Sequence, residues 1–264
     1  MLTFLISAWR AGLRSRSIQG VLVLGVLLVG VAWLSASFSP RAPKTVALDV
    51  GLSGMRFSLV LFALFWVQEL VGREIEKRTV LFALTYPLPR GHYLIGRYLG
   101  VVGLLALAAL LLGLLLWIVV LNAGGAYDQG FAVAPGAAYW LTVAGLWADA
   151  AVVAAFALLL ASLSTVPMLP LALGLAFAVA GKSLGAVMEY LAAGDDPSTA
   201  YLKPIVDAIA WVLPDLSRLD WRAWPMYGLA PDGSAVIGGL LMAAAYGGLL
   251  LALAVLTFKR REFE

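Results

Sequence analysis

The sequence predicts an all-α membrane protein with six transmembrane helices. Three observations carry this reading. Several apolar runs reach roughly 20 residues, long enough for a helix to cross a ~30 Å hydrocarbon core. Hydrophobic residues make up 62% of the 264-residue chain and charged residues only 12%, about half the charged share of an ordinary globular protein. The basic residues also gather at the ends of the apolar runs. This composition excludes an ordinary soluble domain, and a net charge of +3 placed at run ends offers no basic face for nucleic acid. Cysteine is absent, which excludes disulfides and thiolate metal sites and leaves the redox compartment open. A single membrane domain, residues 1–264, is expected.

The elements follow in order. Residues 2–16 carry Leu2, Leu5, Trp9 and Leu13 at spacings of three and four, with Thr3, Ser7, Arg10 and Arg14 on the other face. This is the pattern of an amphipathic helix lying in the headgroup layer; the plainer alternative is an extension of the first span. Arg10, Arg14 and Arg16 follow the apolar residues, the reverse of a cleaved signal. The first span is expected at about 18–38, with Pro40 and Pro43 marking its exit. The second covers about 54–71, the third about 98–121, the fourth about 138–162, the fifth about 168–190 and the sixth about 235–257.

Two stretches lie outside this pattern. Glu69 to Gly100 is highly charged, with Arg73, Glu74, Glu76, Lys77, Arg78, Arg90 and Arg97, and a short helical pattern over Thr79–Tyr86 is stopped by Pro87 and Pro89. Residues 72–92 of this stretch are read here as a cytosolic docking surface. The second stretch, 191–234, begins a short helix at Pro204, with Ile205, Ile209 and Val212 on one face, and ends it at Pro214. Trp211, Trp221, Trp224 and Tyr227 then stand beside Arg218, Asp220 and Arg222, a membrane-interface composition. Short helices lying on or dipping into the outer leaflet are expected, or else a lid on the span ends. The basic residues of the N-terminus, the 72–92 region and Lys259–Arg261 place both termini in the cytosol.

Candidate chemistry is sparse. Ala176–Ser183 fits a relaxed phosphate-loop pattern ending Gly181-Lys182-Ser183, but it has no glycine among the four residues before Gly181 and lies within a span. The motif needs free backbone N–H groups in a loop, so it is read as coincidental. Gly181 and Gly185, like Gly96 and Gly100, have the spacing that lets helices approach closely. Charges inside spans are costly, about 2.5–3.5 kcal/mol at the helix centre. Asp149 and Lys182 are expected either to pair or to line a wet pathway. His92 is the single histidine and the methionines are scattered, so no catalytic constellation, cofactor site or metal site is expected.

The charged stretch resembles the membrane subunits of type-2 ATP-binding-cassette exporters. Its matching positions are Glu74, Thr79, Val80, Leu84, Pro87, Arg90 and Arg97, with Arg78 where that family usually has glycine. Leu84-Thr-Tyr-Pro-Leu-Pro-Arg-Gly91 is closest to permeases associated with multicopper-enzyme and nitrous oxide reductase maturation. The resemblance implies that Glu74, Glu76, Arg78, Thr79, Leu84, Pro87 and Arg90 form a coupling helix seated on a separate ATPase. That ATPase would bind ATP and magnesium in two copies beneath a permease homodimer in the bacterial inner membrane. An exporter permease is the leading expectation. The alternative is a subunit that relays ATPase motion to an extracytoplasmic protein without moving solute. A stand-alone secondary transporter is the third reading, and it would need more intramembrane polar residues.

Overall fold

The structure is a computed structural model that describes residues 9, 16–76, 90–124, 133–164, 166, 168–193 and 200–260. Its α-helices are α1 (Arg16–Ser37), α2 (Pro43–Val67), α3 (Arg73–Glu76), α4 (Arg90–Asn122), α5 (Ala137–Leu163), α6 (Leu169–Ala193), α7 (Lys203–Val212), α8 (Ala223–Tyr227) and α9 (Gly233–Arg260). A π-turn, Gln68–Gly72, joins α2 to α3, and 3₁₀ turns occupy Ala200–Leu202 and Leu216–Leu219. No strand occurs among the described residues. Six of these helices are long and apolar enough to cross a membrane, as expected.

Two boundaries differ from the expected ones. The second span begins at Pro43, eleven residues before the expected 54, because Pro43 sits at the first helical position, where its missing N–H costs nothing. Lys44 and Asp49 lower the hydropathy of that first part and hide it from an apolar-run reading. The third span likewise starts at Arg90. Of the expected helix at 2–16, only Trp9 and Arg16 are described; Trp9 is helical and its ring lies beside Gly103 of α4. The helical pattern at Thr79–Tyr86 lies outside the described residues.

The fourth span, α5, is the axis of the bundle. Of its apolar window 67% is buried, against 28% for α1, α6 and α9. It packs on α2, α4, α6 and α9. Aromatic side chains tie α4 to α5 by donating to backbone oxygens that can accept a second hydrogen bond. Tyr139 Oη donates to Gly113 O at 2.6 Å, Trp147 Nε1 to Val102 O at 3.1 Å and Tyr98 Oη to Ala151 O at 3.2 Å. Phe156 and Phe177 stack at 4.1 Å and bind α5 to α6. Such packing and polar contacts hold helices together where lipid removes the hydrophobic drive.

The segment between α6 and α9 does not simply cover the span ends. After Pro214, the Asp215 carboxylate accepts from Ser217 N at 3.1 Å and Ser217 Oγ at 2.6 Å, closing the 3₁₀ turn Leu216–Leu219. That turn enters the bundle, with Leu216 and Leu219 buried. Glycines make the room. A Cβ at Gly145 of α5 would lie 2.5 Å from Leu219 O, and one at Gly239 of α9 would lie 2.9 Å from Arg218 O. Gly181 and Gly185 of α6 face Leu216 and Ser217, so this small-residue pair admits a re-entrant turn, whereas its spacing predicts a neighbouring helix. Thr142 Oγ1 donates to Trp221 O at 3.1 Å. The chain leaves through α8, closed by Gly228 in the left-handed region at φ 72°.

Candidate functional site

The re-entrant turn carries Asp220 and Arg222 to an ionic cluster within the bundle. Arg56 lies about 20 Å along α2 from Pro43, Asp149 about 18 Å along α5 from Ala137, and Lys182 about 16 Å along α6 from Ala193. Arg56 pairs with Asp149 at 2.8 Å, the carboxylate being almost fully buried, and reaches Asp220 Oδ2 at 3.7 Å. Lys182 donates to the same Asp220 Oδ2. Arg222 holds Asp220 through Nε at 2.8 Å and Nη2 at 3.0 Å, and donates from Nη1 to Ser53 Oγ of α2 at 2.6 Å.

The expected direct Asp149–Lys182 pair is therefore corrected. Both residues belong to one cluster, but Arg56 takes Asp149 and Asp220 takes Lys182. The reason is geometric: α2 packs against α5 with Arg56 at Asp149's depth, and the re-entrant turn supplies a closer carboxylate to Lys182. Sequence reasoning missed Arg56, Asp220 and Arg222 as site residues. One signal was present: an arginine inside an apolar helix implies a buried partner, because an unpaired buried charge is strongly destabilising.

A second cluster stands beyond the C-terminal end of α2, on α3 and the start of α4. Glu74 Oε1 accepts from Arg97 Nη2, and Glu74 Oε2 accepts from Tyr93 Oη at 2.5 Å. The Arg97 guanidinium lies 5.5 Å from the Tyr93 ring centroid, and Tyr93 stacks on Phe258 of α9 at 5.8 Å. Arg73 pairs with Glu69 at 2.6 Å across the π-turn. Glu74 and Arg97 thus clamp together the two helices that bracket residues 77–89. Of the other expected docking residues, Glu76 ends α3 and Arg90 begins α4, their side chains lying outside the described residues. Arg78, Thr79, Leu84 and Pro87 lie wholly outside them. His92 is exposed, and Ala176–Ser183 is continuous helix within α6, so its backbone N–H groups serve the helix and cannot cradle a phosphate.

Six long apolar helices around a buried ionic cluster define a multi-pass helical membrane protein. Over 106 residues the chain is 38% identical to the "Probable ABC transporter permease protein NosY" of Stutzerimonas stutzeri, covering 38% of each protein. It is 39% identical over 106 residues to the protein of the same description from Pseudomonas aeruginosa, again covering 38% of each. The match thus spans well under half the length of these curated relatives. No protein-family profile matches the chain. The resemblance to ATP-binding-cassette permeases drawn from the sequence is borne out by these relatives.

Proposed function

We propose that the chain is the membrane-spanning permease subunit of an ATP-binding-cassette system, driven by a separate ATPase. The observation that carries this reading is the 38% identity to a described ABC permease, in a chain with six candidate spans. In this reading the subunit has no catalytic centre; the partner ATPase binds ATP and magnesium. Two copies of the chain sit over two ATPase copies, with both termini in the cytosol of a bacterium and lipid of the inner membrane around them. The ATPase docks on 72–92, with Glu76, Arg78, Thr79, Leu84, Pro87 and Arg90 toward it. Glu74 serves differently: paired with Arg97 and Tyr93, it fixes the root of the docking segment to α4. A push on 77–89 then reaches α2 and α4 together.

Exporter activity is the first form of this function. A second form, relay of ATPase motion to an extracytoplasmic protein as in metalloenzyme maturation, is favoured by one observation. The segment beyond α6 is bonded to α2 through Arg222–Ser53 and Arg56–Asp220, so movement of α2 reaches that segment directly. Helix α7 offers a partner an apolar face, since Ile205, Ile209 and Val212 are exposed.

The test is a pull-down of the tagged chain from native membranes in mild detergent. An ABC ATPase is expected among the retained proteins, and it should be lost when 77–89 is replaced by a Gly/Ser linker. Absence of any ATPase overturns the permease reading. Co-retention of an extracytoplasmic protein, lost when Ile205 and Ile209 become Asp, selects the relay form.

A further inference from the structure

Between α2 and α6 runs a groove of about 270 Å³. Its charged lining residues are Arg56 and Lys182, Ser53 and Ser183 add hydroxyls, and no carboxylate lines it. Its walls are apolar, and two of them, Phe57 and Val179, are among the exposed large side chains of the bundle surface, at 50% and 60% exposure. The relay reading uses the bonds of Ser53 and Arg56 but gives the groove itself no occupant, and the exporter reading does not use it.

The close ion pairs behind the groove are uneven, with Asp49 and Asp215 standing farther off. Asp220 Oδ2 is shared by Lys182, Arg222 and Arg56, while Asp149 Oδ2 takes Arg56 alone. Arg56, Lys182 and Arg222 thus converge on two carboxylates. Asp49 reaches Arg222 only at 3.9 Å, and its side chain is 62% exposed to the surroundings. A cation within a bilayer that shares its close carboxylate with two others is costly and attracts an anion that can follow it into apolar surroundings. Ammonium and guanidinium groups with flanking hydroxyls suit a phosphate, and the exposed apolar walls suit an acyl chain.

We propose that this groove binds an anionic phospholipid, its phosphate on Arg56 and Lys182 and its acyl chain along Phe57 and Val179. The phosphate is drawn below the headgroup plane and completes the neutralisation of the cluster. The inference depends on the chain being in a membrane and not on the partner ATPase.

The experiment is native mass spectrometry of the full chain in detergent, given phosphatidylglycerol and phosphatidylcholine with identical acyl chains. The wild type should retain phosphatidylglycerol about tenfold better, the scale of one charge-assisted contact. Lys182→Met should remove that preference, and so should Arg56→Gln/Asp149→Asn, which deletes an ion pair without orphaning a charge. Lys203→Met, on exposed α7, should keep it. Equal retention of the two lipids by the wild type overturns the proposal, whatever the variants do. So does an unchanged preference in both folded groove variants, or its loss in Lys203→Met. Displacement of the lipid by millimolar inorganic phosphate would show a free-oxyanion site and overturn the lipid assignment. Efficient crosslinking of Val179→Cys between two chains would show a second copy covering the groove and would overturn it too.

Discussion

The two ionic clusters, one at the middle of α2 and one beyond its end, are built from similar parts and do different work. At one end, Glu74, Tyr93 and Arg97 join residues 19 and 23 positions apart, across a single connection. In the middle, Arg222 reaches Ser53 over 169 positions and Lys182 reaches Asp220 over 38. The first cluster closes a local loop and fixes two helix ends. The second pins a re-entrant turn into a bundle otherwise held by apolar packing and single side-chain hydrogen bonds. Burial differs in the same direction: the Glu74 side chain is 28% exposed and that of Asp149 3%. An ion pair that can reach water survives loss of a partner, whereas one sealed among helices does not.

The largest expected effect follows from that contrast. Arg56→Met should destabilise the folded protein by about 3–5 kcal/mol, because Asp149 is left buried and charged. Arg56→Met/Asp149→Leu should recover most of the loss, as read by thermal unfolding in detergent. A double variant no more stable than the single would show that the charges act independently.

Next comes the turn itself. Gly145→Ala puts a methyl group against Leu219 O, a backbone atom that cannot rotate away, and should cost about 1–3 kcal/mol. Gly238→Ala, with nothing within 4 Å of the added carbon, should stay within about 0.5 kcal/mol. Faster labelling of a cysteine placed at Ser217 in the Gly145→Ala protein would report expulsion of the turn; unchanged labelling would argue that α5 moves instead.

Smaller effects belong to the Glu74 end. Glu74→Gln weakens the pair with Arg97 and should cost about 1–2 kcal/mol, with loss of ATPase co-purification out of proportion to that cost if 77–89 is misoriented. Tyr93→Phe removes one hydrogen bond while keeping the stack on Phe258, and should cost about 0.5–1.5 kcal/mol. If Tyr93→Phe were as damaging as Arg56→Met, the distinction between the clusters would fail.

The same distinction explains what was legible in the sequence. Hydropathy and length located six spans, and Pro204 and Pro214 bounded α7 closely. Glu74 and Arg97 were visible because both lie within the charged stretch 69–100. Asp149 and Lys182 stood out as charges in apolar runs, but their partners did not. Arg56 was averaged away among Phe57, Phe62, Phe65 and Trp66. Asp220 and Arg222 sit beside tryptophans in a stretch whose composition reads as interfacial, yet glycines on three different helices let it sink inward. Composition records what a segment prefers alone; it does not record the room that distant helices leave for it.

The π-turn at Gln68–Gly72 has a consequence for how α2 is aimed. Without it, Arg56 and Glu74 would stand five full turns apart at 3.6 residues per turn and share one face. The extra residue taken up by the π-turn offsets the two faces by about 100°. One rod therefore points its arginine at the α5–α6 side and its glutamate at α4. A rigid turn of this rod would sweep the two side chains through the same angle, each starting from a direction about 100° from the other.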